Sequence, residues 1–91
     1  MPKQKPISVH EAISTSLFQV AMTLEEQGKV HQALSPYLKI IEEYSSTPEA
    51  PASVEKLLGI ADRMRLNGQF HVAMRVYARL ENASEQAHDD D

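Results

Sequence analysis

The sequence contains no cysteine, which excludes a disulfide framework and a thiolate metal site. It has no tryptophan, and its aromatic residues are two phenylalanines and three tyrosines, so a core has to be built mainly from aliphatic side chains and alanine. No apolar run approaches the ~18 residues that a membrane-spanning helix needs. The first residues, MPKQKPISVHEAIS, contain lysines but no continuous apolar segment after them, so we expect no secretory signal. These absences favour a cytoplasmic protein with no membrane partner.

Acidic and basic residues are unevenly distributed along the chain. The net charge is −4, yet residues 14–55 hold six glutamates against two lysines, whereas residues 56–80 hold four arginines and a lysine against one aspartate. A mildly acidic chain without a cluster of basic and aromatic residues is a poor candidate for binding nucleic acid. The opposite charge of the two segments favours contact between copies of the chain.

Apolar residues recur at intervals of three and four, which predicts four helices and an all-α fold. Ser8 followed by Glu11 is a capping box, so the first helix should begin at Val9. Gly28 and Gly68 should end the first and third helices in the left-handed conformation. The expected core stripes are Val9, Ile13, Leu17, Val20, Ala21 and Leu24; Val30, Ala33, Leu34, Tyr37, Ile40, Ile41 and Tyr44; Val54, Leu57, Leu58, Ala61 and Met64; and Phe70, Ala73, Met74, Tyr77 and Leu80.

Proline and polar segments suggest where these elements are interrupted. Pro36 lies inside the second predicted helix, so we expect either a bend there or a helix that begins only at Ser35. The segment SSTPEAP separates the two helix pairs, and Pro51 suits the first turn of the third helix. We expect a disordered lead over residues 1–7, a domain over residues 8–82 and an acidic disordered tail over residues 83–91.

A shift of 40 residues superimposes the two halves of the chain, so that GKVHQALSPY aligns with GQFHVAMRVY. The chain therefore contains two copies of one helix-hairpin unit, an internal repeat. The glycines permit the reversal, the alanines allow close helix crossing, and the leucines and tyrosines fill the layers around them. The repeat-defining residues are Leu17, Ala21, Gly28, Ala33 and Tyr37, with Leu57, Ala61, Gly68, Ala73 and Tyr77.

This pattern resembles the tetratricopeptide repeat over about residues 14–81, with repeat one at 14–47 and repeat two at 54–87 at most. The resemblance implies two antiparallel helix hairpins stacked into a right-handed superhelix, and a role in protein binding rather than catalysis. Leu17 and Leu57 stand where the family usually has an aromatic residue. The period of 40 also exceeds the family's usual ~34 residues.

Residues off the packing stripes of the first and third helices are candidates for a partner-binding groove: Phe18, Met22, Glu25, Leu58, Asp62 and Arg65. Such a groove suits a partner helix or an extended peptide, but the same side chains can pack on neighbouring helices of their own stack. Helical repeat stacks usually need about three repeats and a polar terminal cap. With two repeats, we expect a second copy of the chain or another protein to cover the exposed stripe, and therefore a homodimer or larger assembly.

The duplicated histidines, His31 and His71, raise an alternative function, a regulatory domain that senses a metal ion or pH. A metal site needs three or four converging ligands, and the sequence places no others beside them, so we favour solvent-facing histidines and expect no cofactor. Adjacent glutamates occur at residues 25–26 and 42–43. The two side chains of each doublet point ~100° apart on a helix, so neither doublet forms a converging pair of carboxylates. No nucleophile set or phosphate-binding loop is present, and we therefore expect no enzymatic activity.

Overall fold

A computed structural model describes the backbone of residues 8–88 and the side chains of residues 8–83. The predicted lead, residues 1–7, and the last three residues of the predicted tail lie outside this range. Four α-helices follow one another: α1 (Val9–Glu26), α2 (Val30–Glu43), α3 (Glu49–Leu66) and α4 (Phe70–His88). Residues 8–88 include no strand, which confirms the all-α class. None of the helices in this range is long and apolar enough to cross a bilayer.

Local capping explains where these helices begin and end. The Ser8 hydroxyl accepts a hydrogen bond from the Glu11 amide at 3.1 Å, which confirms the predicted start of α1. Gly28 and Gly68 have φ angles of 81° and 86°, in the left-handed region. In both turns the glycine amide donates to the carbonyl three residues back (3.0 and 3.1 Å), and the next amide donates to the carbonyl five residues back (2.8 Å in each). The two halves thus end their first helices with the same Schellman motif.

Two features differ from the expected boundaries. Helix α2 begins at Val30, as its apolar stripe predicted, so of the two alternatives for Pro36 the start at Ser35 is wrong and Pro36 lies in the helix interior. The missing amide of Pro36 costs one backbone hydrogen bond, but the residues that follow, Tyr37 and Leu38, are buried and hold the helix by packing. Helix α4 continues to His88, beyond residue 82 where the sequence predicted the domain to end.

Each helix packs on its neighbours in chain order. Consecutive helices contact each other, α1 also contacts α3, and α2 also contacts α4, whereas the described parts of α1 and α4 do not touch. Small residues occupy the crossings and large ones fill the layer around them. The buried apolar cluster consists of Ala21, Ala33, Tyr37, Leu38, Ile41, Leu57, Ile60, Ala61, Met64, Ala73 and Val76.

The predicted core stripes are partly wrong in α1, α3 and α4. Val9, Ile13 and Val20 expose 75%, 39% and 51% of their surface, although the sequence placed them in the core. Leu58, Phe70 and Met74 are also exposed, although the stripes of α3 and α4 included them. In each of these helices, one side of the apolar stripe packs on neighbouring helices. No described helix covers the other side, which is therefore exposed. Seven residues that the stripes omitted are buried instead: Ser14, Leu38, Thr47, Ala50, Ser53, Ile60 and Val76.

Candidate functional site

The groove residues predicted on α1 are engaged within the chain. Phe18 packs edge-on against Tyr37, with ring centroids 5.7 Å apart, and both Phe18 and Met22 are half-buried against the core. Glu25 accepts a hydrogen bond from the Tyr37 hydroxyl at 2.8 Å. These residues therefore match the second alternative from the sequence, in which they pack on neighbouring helices of their own chain. Met22 and Glu25 also line a cleft of about 190 Å³ with Glu26 and Lys56.

The groove residues predicted on α3 lie beside α4. Tyr77 donates a short hydrogen bond to Asp62, and Arg65 donates to the Tyr77 hydroxyl at 3.3 Å. Leu58 lies one turn before Asp62 and is exposed. The structure therefore does not gather the six predicted residues in one open apolar groove: Phe18 and Glu25 contact Tyr37, whereas Asp62 and Arg65 contact Tyr77.

The tyrosine contacts follow the internal repeat. Glu25 and Arg65 occupy equivalent positions, and each bonds the tyrosine of its own half. Burial and the hydrogen bond to Glu25 raise the pKa of the Tyr37 hydroxyl far above its ordinary value, so this hydroxyl remains a donor. The repeat thus conserves a contact between its two helices while changing the charge of the group that makes it.

The acidic and basic segments of the chain pair with each other across the two halves. Arg79 on α4 makes two hydrogen bonds to the carboxylate of Glu42 on α2, at 2.8 and 2.9 Å. Arg63 on α3 lies 3.7 Å from a carboxylate oxygen of Glu25 on α1. Part of the charge asymmetry seen in the sequence is therefore neutralised inside the molecule. The charge asymmetry is therefore a weaker argument for contact between copies of the chain than the sequence indicated.

A groove of about 510 Å³ runs between α2 and α4, and the sequence analysis did not predict it. Its floor is apolar, and its rim carries the Glu42–Arg79 pair together with Lys39 and Arg75. The apolar pairs at four-residue spacing on the two helices were the available signal: Leu34 and Leu38, and Val72 and Val76. Leu38 and Val76 were absent from the predicted stripes, which is why the groove was missed.

Two uncovered apolar faces are the most distinctive surfaces of the described chain. The α1 face consists of Val9, Ile13 and Val20, which line an apolar depression of about 340 Å³ with Ala12, Ser16 and Leu17. The α3–α4 face consists of Leu58, Phe70 and Met74, which expose 42%, 58% and 64% of their surface. Leu58 and Met74 lie one turn from the Asp62–Tyr77 contact, which joins the two helices of this face. The described parts of α1 and α4 do not touch, so the two faces lie at opposite ends of the helix order.

The duplicated histidines are not among the residues that form these two faces. His31 is exposed and lines the groove between α2 and α4, and His71 is exposed near the start of α4. Among the described residues, no three His, Asp or Glu side chains form a group that could hold a metal ion. The geometry adds nothing in favour of the metal-sensing alternative.

The chain matches no model of a known protein family, no curated protein and no solved structure.

Proposed function

We propose that the protein is a protein-binding module: a scaffold or adaptor of the tetratricopeptide type, made of two antiparallel hairpins stacked as a short superhelix. Three features support this architecture, namely the 40-residue repeat, the duplicated glycine turns and the buried alanines at equivalent positions of the two halves. The role is binding rather than catalysis, and a cytoplasmic location is part of the proposal, since the chain has no cysteine.

The observation that carries the proposal is the pair of uncovered faces. Large apolar side chains scattered singly on a surface need no explanation, but contiguous ones at the end of a helical stack mark docking sites. Burying a side chain such as Val20 or Met74 against a partner contributes on the order of 1.5–3 kcal/mol. Three such residues on each face provide a binding surface without any new polar contact.

Site-specific photo-crosslinking in cells that make the protein tests this function. A photoreactive residue at Val20 or Met74 should form covalent adducts with another polypeptide, either a second copy or a different protein. Gln19, exposed on the same helix as Val20, and Leu66, an exposed leucine outside both faces, serve as matched control positions. The proposal fails if the face positions give no adduct, or if the control positions give the same adducts in equal yield.

A further inference from the structure

We infer that the occupant of the α3–α4 face is the α1 face of a second copy of this chain, docked as α3 and α4 dock on the first half of their own chain. The inference rests on the proposed function and names the partner of its surfaces. It comes from comparing the burial of each side chain with that of its counterpart 40 residues away.

The α3–α4 face repeats a surface that is already covered in the first half. The counterparts of Leu58, Phe70 and Met74 are half-buried and pack against a core to which α3 contributes. These counterparts are Phe18, Val30 and Leu34. The first-half positions that pack against this shared core are therefore repeated, in apolar form and uncovered, on the second half itself.

The α1 face repeats the surface that α3 turns toward the first half. The counterparts of Ile13 and Val20 are Ser53 and Ile60, which are 0% and 1% exposed. On α3 these two lie between Glu49, which accepts a hydrogen bond from Thr15 of α1, and Arg63, which pairs with Glu25 of α1. Spacings of four, seven and three residues keep all four on one side of the helix. The side of α1 that matches this docking surface is the side that lacks a cover.

The polar contacts between the halves would not be reproduced between copies. The counterparts of Glu42 and Arg79 are Asn82 and Lys39, and those of Glu25 and Arg63 are Arg65 and Thr23. Neither combination opposes like charges, and the residues lining the α1 face are all uncharged. Contact between copies is therefore driven by apolar burial, is weaker than the contact inside the chain and varies little with salt.

A contact between two different faces leaves one face of each kind uncovered on every complex. Such a heterologous interface adds copies without closing after two, unless the rotation between copies forms a ring. The average mass in solution should then rise with protein concentration and pass the mass of a dimer.

Sedimentation velocity of two variants, alone and mixed, tests the arrangement. Val20→Asp blocks the α1 face, and Met74→Asp blocks the α3–α4 face. Each variant alone should remain monomeric where the unaltered chain associates. An equal mixture should form a complex of one copy of each and grow no further, because each variant retains the face that the other has lost. Leu66→Asp is the control, since its counterpart Glu26 is exposed and neither proposed face includes it. It should associate like the unaltered chain.

Other outcomes overturn the inference. A monomer at every concentration, or a Met74→Asp variant that still dimerises through its α1 face, contradicts contact between unlike faces. Circular dichroism shows whether each variant folds, and Ile13→Asp with Phe70→Asp replaces any variant that does not. If the chain is monomeric but Val20 and Met74 crosslink to a different protein, the inference fails while the proposed function stands. If they crosslink to nothing, both fail.

Discussion

At the scale of single residues, two buried serines differ in whether the hydroxyl has a partner. Ser14 on α1 and Ser53 on α3 are both 0% exposed. The Ser14 hydroxyl lies 2.7 Å from that of Thr47, which itself donates to the Tyr44 carbonyl. Within the part of the chain that the structure describes, the Ser53 hydroxyl has no hydrogen-bond partner. A buried hydroxyl without a partner loses its hydration and gains nothing in exchange.

Replacing each serine by alanine should therefore change stability in opposite directions. Ser14→Ala should lower the free energy of unfolding by about 1 kcal/mol, because a buried hydrogen bond is lost. Ser53→Ala should be neutral or raise it by up to about 1 kcal/mol, because it removes an unsatisfied group. Both sites are helical, so the gain in helix propensity is the same. Urea denaturation measures the two values, and an equal loss for both variants would mean that Ser53 has a hydrogen-bond partner.

The burial of these serines shows a limit of reasoning from sequence. Serine in a helix is usually exposed, and a polar residue gives no periodic signal. The apolar stripes did identify the small residues at the helix crossings, Ala21, Ala33, Ala61 and Ala73, all of which are buried. They did not show which edge of a stripe lacks a neighbour, so Val20 was assigned to the core. That information depends on where the other helices lie.

At the scale of secondary-structure elements, the two glycine turns set the ends of α1 and α3. Gly28 and Gly68 have positive φ angles, whereas Gly59 lies inside α3. A Cβ added at any of the three would meet no other atom within 4 Å. A substitution to alanine at these sites therefore tests backbone conformation without a steric clash.

Gly28→Ala and Gly68→Ala should each lower the free energy of unfolding by about 1 kcal/mol, because alanine is strained in the left-handed region. Gly59→Ala should raise it by about 0.5–1 kcal/mol, because glycine in a helix interior is unfavourable. Thermal and urea unfolding of the three variants provide the comparison. A loss of stability in Gly59→Ala would show instead that another backbone approaches α3 there.

Helix boundaries were predictable where the signal is local, and less so elsewhere. Ser8 and the two glycines act through hydrogen bonds within a few residues, so their effect is visible in the sequence. Pro36 left the start of α2 undecided in the sequence, because whether the helix continues through it depends on the packing of Tyr37 and Leu38. The candidate faces were not predicted as such, since their exposure follows from the order in which the helices pack.

At the scale of the whole molecule, the described chain is thin and extended, measuring 54 × 38 × 14 Å along its principal axes. Contacts run between helices that are adjacent or next-adjacent in the chain, as expected of a repeat protein. Stability in such a molecule is approximately a sum of terms between neighbours, so the ends open more easily than the middle.

Amide hydrogen exchange should show this gradient and its response to association. Amides of α2 and α3 should exchange most slowly, because each of these helices contacts the other three helices in the described range. Helices α1 and α4 each have one apolar side uncovered. If copies dock α1 face to α3–α4 face, raising the protein concentration should slow exchange in α1 and α4 and leave α2 unchanged. The Val20→Asp variant, which lacks the α1 face, should show the gradient between helices but no dependence on concentration. Uniform protection of all four helices at low concentration would contradict the neighbour-only account of stability. A concentration effect that persists in Val20→Asp would place the contact on a different surface.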